Sequence, residues 1–145
     1  MASVCFYFQM HQPFRLRRYS VFETEPTYFD NFRNAEIASK VAERCYTPAT
    51  GALLDLVNKY DGRFRVSFAI TGVLLDQLRK HAPKVIDNLQ KLAETGCVEF
   101  INETYHHSLA FLYSREEFRE QVDLHAARVD ELFGQIGRAS CRERV

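Results

Sequence analysis

The chain has no tryptophan, no net charge and no CxxC pair among its four cysteines. Nineteen basic residues balance nineteen acidic ones. That balance argues against nucleic acid or an anionic membrane as a partner, because both select a basic surface. Cys5 and Cys97 fall in apolar runs, Cys45 in a helical stretch and Cys141 near the C-terminus, with no metal-site or disulfide spacing. Free buried thiols fit a reducing compartment. No apolar stretch approaches the roughly 20 residues that span a bilayer. No basic segment of the kind that opens a signal peptide follows Met1, so the expected location is the cytoplasm. Internal repeats and low-complexity segments are also missing.

What is present is the composition of an ordinary soluble domain. The 145 residues could bury a sizeable core, and 46% hydrophobic with 26% charged content is unexceptional. Aromatics reach 13%, supplied by 12 Phe and 7 Tyr. Many belong in a core, but tyrosine rings in loops also suit the flat apolar faces of sugars.

Three apolar runs read as strands, at about residues 2–9, 65–70 and 97–102. Helical patterns lie between them. Residues 34–44 read as one short helix. Thr47 and Pro48 then open another, as N-cap and first helical residue, with Leu53, Leu56, Val57 and Tyr60 on its apolar face. Residues 73–80 offer a helical turn or two. Pro83 opens a helix with Val85, Ile86, Leu89, Leu92 and Ala93 inside, closed by Gly96. Ser114 and Glu117 form a capping box ahead of a stripe of Phe118, Val122, His125, Val129 and Leu132. Strands alternating with helices predict an α/β fold with a parallel sheet and right-handed crossovers. Three strands cannot close a barrel, so their edges are expected to be open. The segment from Pro13 to Asn31 is long, aperiodic and aromatic, which marks it as functional.

Each strand run stops at polar residues. The first stops at His11, Gln12 and Pro13, the second at Thr71 and Gly72, and the third at Glu103 with His106 and His107 behind it. Ligand-binding groups in parallel α/β folds sit where the strands end. His11 and Gln12 thus become candidates to hydrogen-bond a polar substrate. Glu99, residue 101 and Glu103 share one strand face. Glu99 is either part of a site, a residue of a solvated face or an ion-pair partner for Arg65 on the neighbouring strand. Adjacent histidines rarely face one ion, and no HxH, HxxxH or HExxH spacing occurs, so no metal is expected. One of His106 and His107 is expected to bond a sugar and the other to pack. His81 and His125 read as structural.

These residues carry a family resemblance. Phe8-Gln-Met-His-Gln-Pro13 resembles the first motif of glycoside hydrolase family 57. Gly96-Cys-Val-Glu-Phe-Ile-Asn-Glu-Thr-Tyr-His-His-Ser-Leu109 resembles the second, in its α-amylase-type form. Phe29-Asp-Asn-Phe-Arg-Asn34 and Lys40-Val-Ala-Glu-Arg-Cys-Tyr-Thr-Pro48 resemble the same branch. The resemblance implies the first three βα units of an incomplete (β/α)7 TIM-like barrel. It implies retaining cleavage of an α-glucan or maltooligosaccharide, of α-amylase or 4-α-glucanotransferase type, by a Glu nucleophile and an Asp acid/base. Both of these would lie beyond residue 135, leaving no catalytic residue here. The substrate-binding set it implies is His11, Gln12, Glu99, Glu103, Tyr105 and His106, with no cofactor. Residues 1–135 would be the N-terminal part of the catalytic barrel, and 136–145, which break the pattern, an adapter-like tail on a truncated chain. A polysaccharide deacetylase-like metal enzyme would need an Asp-Asp pair after the first strand and an HxxxH, and neither occurs. A non-catalytic carbohydrate-binding module would usually be all-β.

Overall fold

The computed structural model describes residues 4–134. Its three strands, β1 (Phe6–Met10), β2 (Val66–Ile70) and β3 (Val98–Phe100), form one parallel sheet in the order β1-β2-β3. Phe8, Phe68 and Phe100 sit opposite one another across it. Helices α1 (Asn31–Val41) and α2 (Thr47–Lys59) connect β1 to β2, and α3 (Gly72–His81) and α4 (Pro83–Glu94) connect β2 to β3. Helix α5 (Arg115–Phe133) follows β3. Strands adjacent in sequence order, joined by crossovers of one hand, receive both crossovers on the same face. Side-chain alternation then separates two surfaces. Val66, Phe68, Ile70, Val98 and Phe100 join Leu53, Val57, Leu74, Leu78, Leu89 and Val129 in the core. Tyr7, Gln9, Ser67 and Glu99 occupy the alternate positions, and Tyr7, Gln9 and Glu99 are exposed. Aromatic rings cross the core as a series from Phe8 to Phe68 (5.5 Å), Phe100 (6.1 Å) and Phe133 (4.3 Å).

Two helix boundaries differ from the sequence reading. Helix α1 starts at Asn31, because the Asp30 carboxylate caps the Arg33 amide at 2.9 Å. Helices α1 and α2 are not separated by a cap at Thr47. A π-helical segment, Ala42–Tyr46, runs between them, and Tyr46 and Thr47 both keep right-handed helical backbone. The Thr47 amide reaches back five residues to the Ala42 carbonyl. Proline cannot donate within a helix, and the wider π turn just ahead of Pro48 absorbs that missing bond. The Thr50 hydroxyl, buried, donates to the Tyr46 carbonyl at 2.7 Å.

Helix α3 runs ten residues rather than one or two turns. Thr71, extended at φ −62° and ψ 146°, precedes Gly72, which is helical rather than a breaker. A Cβ on Gly72 would lie 2.3–2.5 Å from the Tyr105 ring, so glycine there reflects a close approach. Half of the expected capping box forms: the Ser114 hydroxyl accepts from the Glu117 amide, whereas the Glu117 carboxylate takes the Gln121 side chain and the Ser114 amide bonds the Ala110 carbonyl; Gly134 closes α5 at φ 61°. The expectations for the tail at 136–145 and for Cys141 concern positions outside the described residues.

The aromatic segment after β1 is folded. The Arg17 amide donates to the Tyr28 carbonyl, the Asp30 amide to the Arg15 carbonyl, and Leu16 bridges Phe29 antiparallel. Asn34, buried in α1, accepts from the Arg15 amide at 2.8 Å and donates to its carbonyl at 3.2 Å. One side chain thus fastens the base of this arm to the helical layer.

Candidate functional site

The C-terminal ends of the three strands bring six side chains together. Gln9, the penultimate residue of β1, donates from Nε2 to both Glu103 carboxylate oxygens, at 3.1 and 3.2 Å. The Tyr7 hydroxyl donates to Oε1 of the same glutamine, which sets its amide orientation. Glu103 also accepts from His107 Nδ1 at 3.0 Å. The His107 ring stacks on His11, with centroids 4.4 Å apart and planes inclined by 26°. His11 Nδ1 lies 2.9 Å from the Thr71 hydroxyl. One polar network therefore crosses all three strand ends, on the sheet face opposite the helices. Burial, and then the neighbouring His107, lower the pKa of His11; Glu103 opposes them. At neutral pH His11 is an uncharged imidazole, able to hydrogen-bond a neutral polar group without charging it.

The backbone on either side is braced. The fully buried Thr71 donates its amide to the Met10 carbonyl. Gln77, buried on α3, donates to the Gln12 carbonyl at 2.7 Å. Arg15 donates to Gln12 Oε1 at 3.0 Å, which ties the turn at Pro13 to the arm behind it. Below the rim, His125 on α5 is completely buried and donates from Nε2 to the Ile70 carbonyl at 2.7 Å. Burial lowers its pKa, while the Ile70 bond and Glu103 pull the other way. As the sequence suggested, its role is structural.

The residues expected at the site do not all meet. His11 and Glu103 do. Gln12 lies beside them, with its carbonyl and side chain engaged by the scaffold. Glu99 projects from the same face but lies lower, level with Tyr7 and Ser67. It is exposed, and among the described residues it forms no ion pair with Arg65. Tyr105 is buried with its hydroxyl donating to Asp76 at 2.6 Å, and its carbonyl accepts from the Val73 amide. Burial, and then Asp76, raise its pKa, so it remains a protonated donor. His106 is exposed and meets Tyr105 edge-on.

Of the adjacent histidines, His107 is the one turned into the rim. Its backbone has φ 55°, a left-handed conformation uncommon for histidine, and its amide closes a turn onto the Thr104 carbonyl. No spacing rule distinguishes His106 from His107, because the reversal comes from that one backbone angle. Gln9 was legible only as a strand residue, although period-two alternation puts it on the same face as Tyr7. Among the described residues no group of three His, Cys, Asp or Glu side chains is arranged to hold a metal ion. The arrangement instead offers neutral and anionic hydrogen-bonding groups on an open polar face, suited to a hydroxyl-rich ligand.

Comparison with known proteins places the chain in a family. The chain is 39% identical over 136 residues to a protein named "Putative alpha-amylase" from Methanocaldococcus jannaschii, a match covering 90% of this chain and 28% of that one. The fold matches the crystal structure of 4-alpha-glucanotransferase from Thermococcus litoralis with a TM-score of 0.67 and 16% identity, over 92% of this chain and 18% of that one. The chain thus spans less than a third of either relative. The family model for glycosyl hydrolase family 57 matches residues 5–140. With that match covering nearly its whole length, the chain belongs to glycosyl hydrolase family 57.

Proposed function

We propose that this chain is the N-terminal part of the catalytic barrel of a retaining glycoside hydrolase acting on α-glucans, of α-amylase or 4-α-glucanotransferase type. In this reading the three strands are the first βα units of an incomplete barrel. The observation that carries the reading is the division of the sheet. One face is packed by helices, and the other presents Tyr7, Gln9, Glu99 and Glu103 with His11 at the strand ends. A barrel lumen leading to a sugar-binding rim has that character.

Within this part, His11, Gln12, Glu99, Glu103 and His106, together with His107, would form the wall that binds substrate, and Tyr105 would hold that wall against α3. Retaining hydrolysis needs two carboxyls about 5–5.5 Å apart across the scissile bond. Our reading draws that pair from elsewhere in the intact enzyme. His11 then serves as an uncharged partner for a sugar hydroxyl, and Glu99 accepts from hydroxyls deeper in the cleft. Hydrogen bonds to the sugar that tighten in the transition state supply several kcal/mol. Losing such a bond lowers kcat and kcat/KM together.

The test has two arms. The purified 145-residue chain is expected to release no reducing sugar from maltooligosaccharides. Measurable release would place the catalytic pair within it. In an intact enzyme carrying this segment, His11→Ala and Glu99→Gln are expected to reduce kcat and kcat/KM by about 10-fold, the loss of about one hydrogen bond. Formation of a glycosyl azide by the Glu99→Gln enzyme would show that Glu99 is itself the nucleophile. Unchanged kinetics in both variants would return these residues to scaffolding.

A further inference from the structure

Thr71 occupies the N-cap position of α3, where a threonine ordinarily spends its hydroxyl on an amide of the first turn. Here it makes no such bond. Its Oγ1 lies 2.9 Å from His11 Nδ1 instead, and Thr71 is completely buried. A buried hydroxyl proton requires an acceptor. The acceptor that the described residues provide is the Nδ1 lone pair of His11. If Thr71 donates to Nδ1, the single proton of the neutral imidazole must sit on Nε2.

The surroundings also oppose the alternative state. An imidazolium carries a proton on Nδ1 as well, which would face the hydroxyl and leave the buried Thr71 proton without an acceptor. The first turn of α3 directs its positive end toward the same place, which disfavours a cation. On the other side, the His107 ring lies flat against His11, held by its Nδ1–H bond to Glu103, which Gln9 holds in turn. Thr71, Glu103 and His107 are the polar and titratable groups that face His11 from α3 and from the segment after β3.

We infer that Thr71 and the Glu103–His107 pair are positioning residues that hold His11 as a neutral imidazole with its proton on Nε2, a fixed single donor for an uncharged acceptor. That the acceptor is a sugar hydroxyl rests on the α-glucan reading above; the tautomer does not. No hydroxyl on the ligand needs to give up a proton, so the donor directs a lone pair of the sugar toward itself. A protonated amine in place of that hydroxyl would be rejected.

Imidazole 15N–1H correlation spectra of the 145-residue chain test this, with His11 assigned by comparison with His11→Asn. His11 is expected to show a protonated Nε2 and a bare Nδ1 at neutral pH. Thr71→Val removes the hydroxyl at nearly constant shape. It should move both nitrogens toward the averaged positions of a freely exchanging imidazole, and Thr71→Ser should restore them. A proton on Nδ1 in the unmodified chain overturns the inference, whether or not the valine variant folds. So does a His11 spectrum unchanged in a folded Thr71→Val. Added maltoheptaose separates the two readings. A shift confined to Nε2 supports the donor role toward sugar. In an intact enzyme carrying this segment, no shift with maltoheptaose bound while the Nε2 tautomer persists refutes the α-glucan acceptor and leaves the tautomer standing.

Discussion

At the scale of single residues, the site depends on groups that never reach its surface. Gly72 is the clearest case. Its backbone is helical, so an L side chain costs nothing in φ and ψ there. The obstacle is the Tyr105 ring, which a Cβ would meet at 2.3–2.5 Å. That ring cannot retreat, because its hydroxyl is bound to Asp76, which Arg128 also pairs at 3.2 Å. Gly72→Ala should therefore displace the segment carrying Glu103 and His107. The expected cost is that of an overpacked core, about 1–3 kcal/mol, read as a lower urea midpoint with an unchanged slope. Gly96 makes the contrasting control. It has positive φ and open space, so alanine there costs backbone strain but should leave the His11–His107 stack in place.

At the scale of elements, α5 docks on the sheet through a titratable contact. His125 is buried against the Ile70 carbonyl, and burial depresses its pKa. The unfolded chain protonates it near the ordinary value of about 6.5; the folded chain does so only at lower pH. The unfolded state therefore binds more protons as pH falls through that region, and stability rises with pH across it. His11 has the same sign. The stabilisation is present above the unfolded value and is lost on acidification below it. His125→Gln keeps an N–H for Ile70 and removes the titration. Its chemical denaturation midpoint should fall less steeply between neutral and mildly acidic pH than that of the unmodified chain. Parallel slopes would show that His125 does not titrate on unfolding.

The elements also show what a sequence displays and what it hides. Strand ends, the Ser114 N-cap of α5 and the stripe on α4 were legible because they rest on local periodicity and capping chemistry. The join of α1 to α2 was not. Thr47 and Pro48 have the composition of a helix start, and only the π turn before them tells otherwise. The rim was half legible for a similar reason. His11 and Glu103 stand at the ends of apolar runs, whereas the choice of His107 over His106 is made by one left-handed residue. Tyr105 looked like a ligand-binding ring because the motif contains it. Its burial against Gly72 follows from the packing of α3, which no window around residue 105 contains.

At the scale of the whole molecule, the two faces of the described sheet differ, and both of its edges are open. β2 is paired on both sides, while β1 and β3 each have one neighbour. The face opposite the helices carries no second layer among the described residues, and Tyr7 remains half exposed on it. Parallel sheets are ordinarily covered on both faces, and an uncovered strand edge is a template for another strand. Beyond the sheet, Phe22 and Tyr113 are each about nine-tenths exposed, and Phe111 is about half exposed. Charge offers little counterweight, since the formal net charge is zero at pH 7 and like-charge repulsion keeps few proteins apart at that balance. The 145-residue chain should therefore self-associate. Light scattering coupled to size exclusion should show a mass that rises with loading concentration, and helical content by circular dichroism should persist through the rise, because the helical layer is already packed. Raising the pH to 9 should lower the association, because the sequence pI is about 7.0 and the chain becomes net anionic above it. A constant monomer mass across a hundredfold range of concentration would mean that the edges are protected, and with that the argument for further strands beside β1 and β3 would fall.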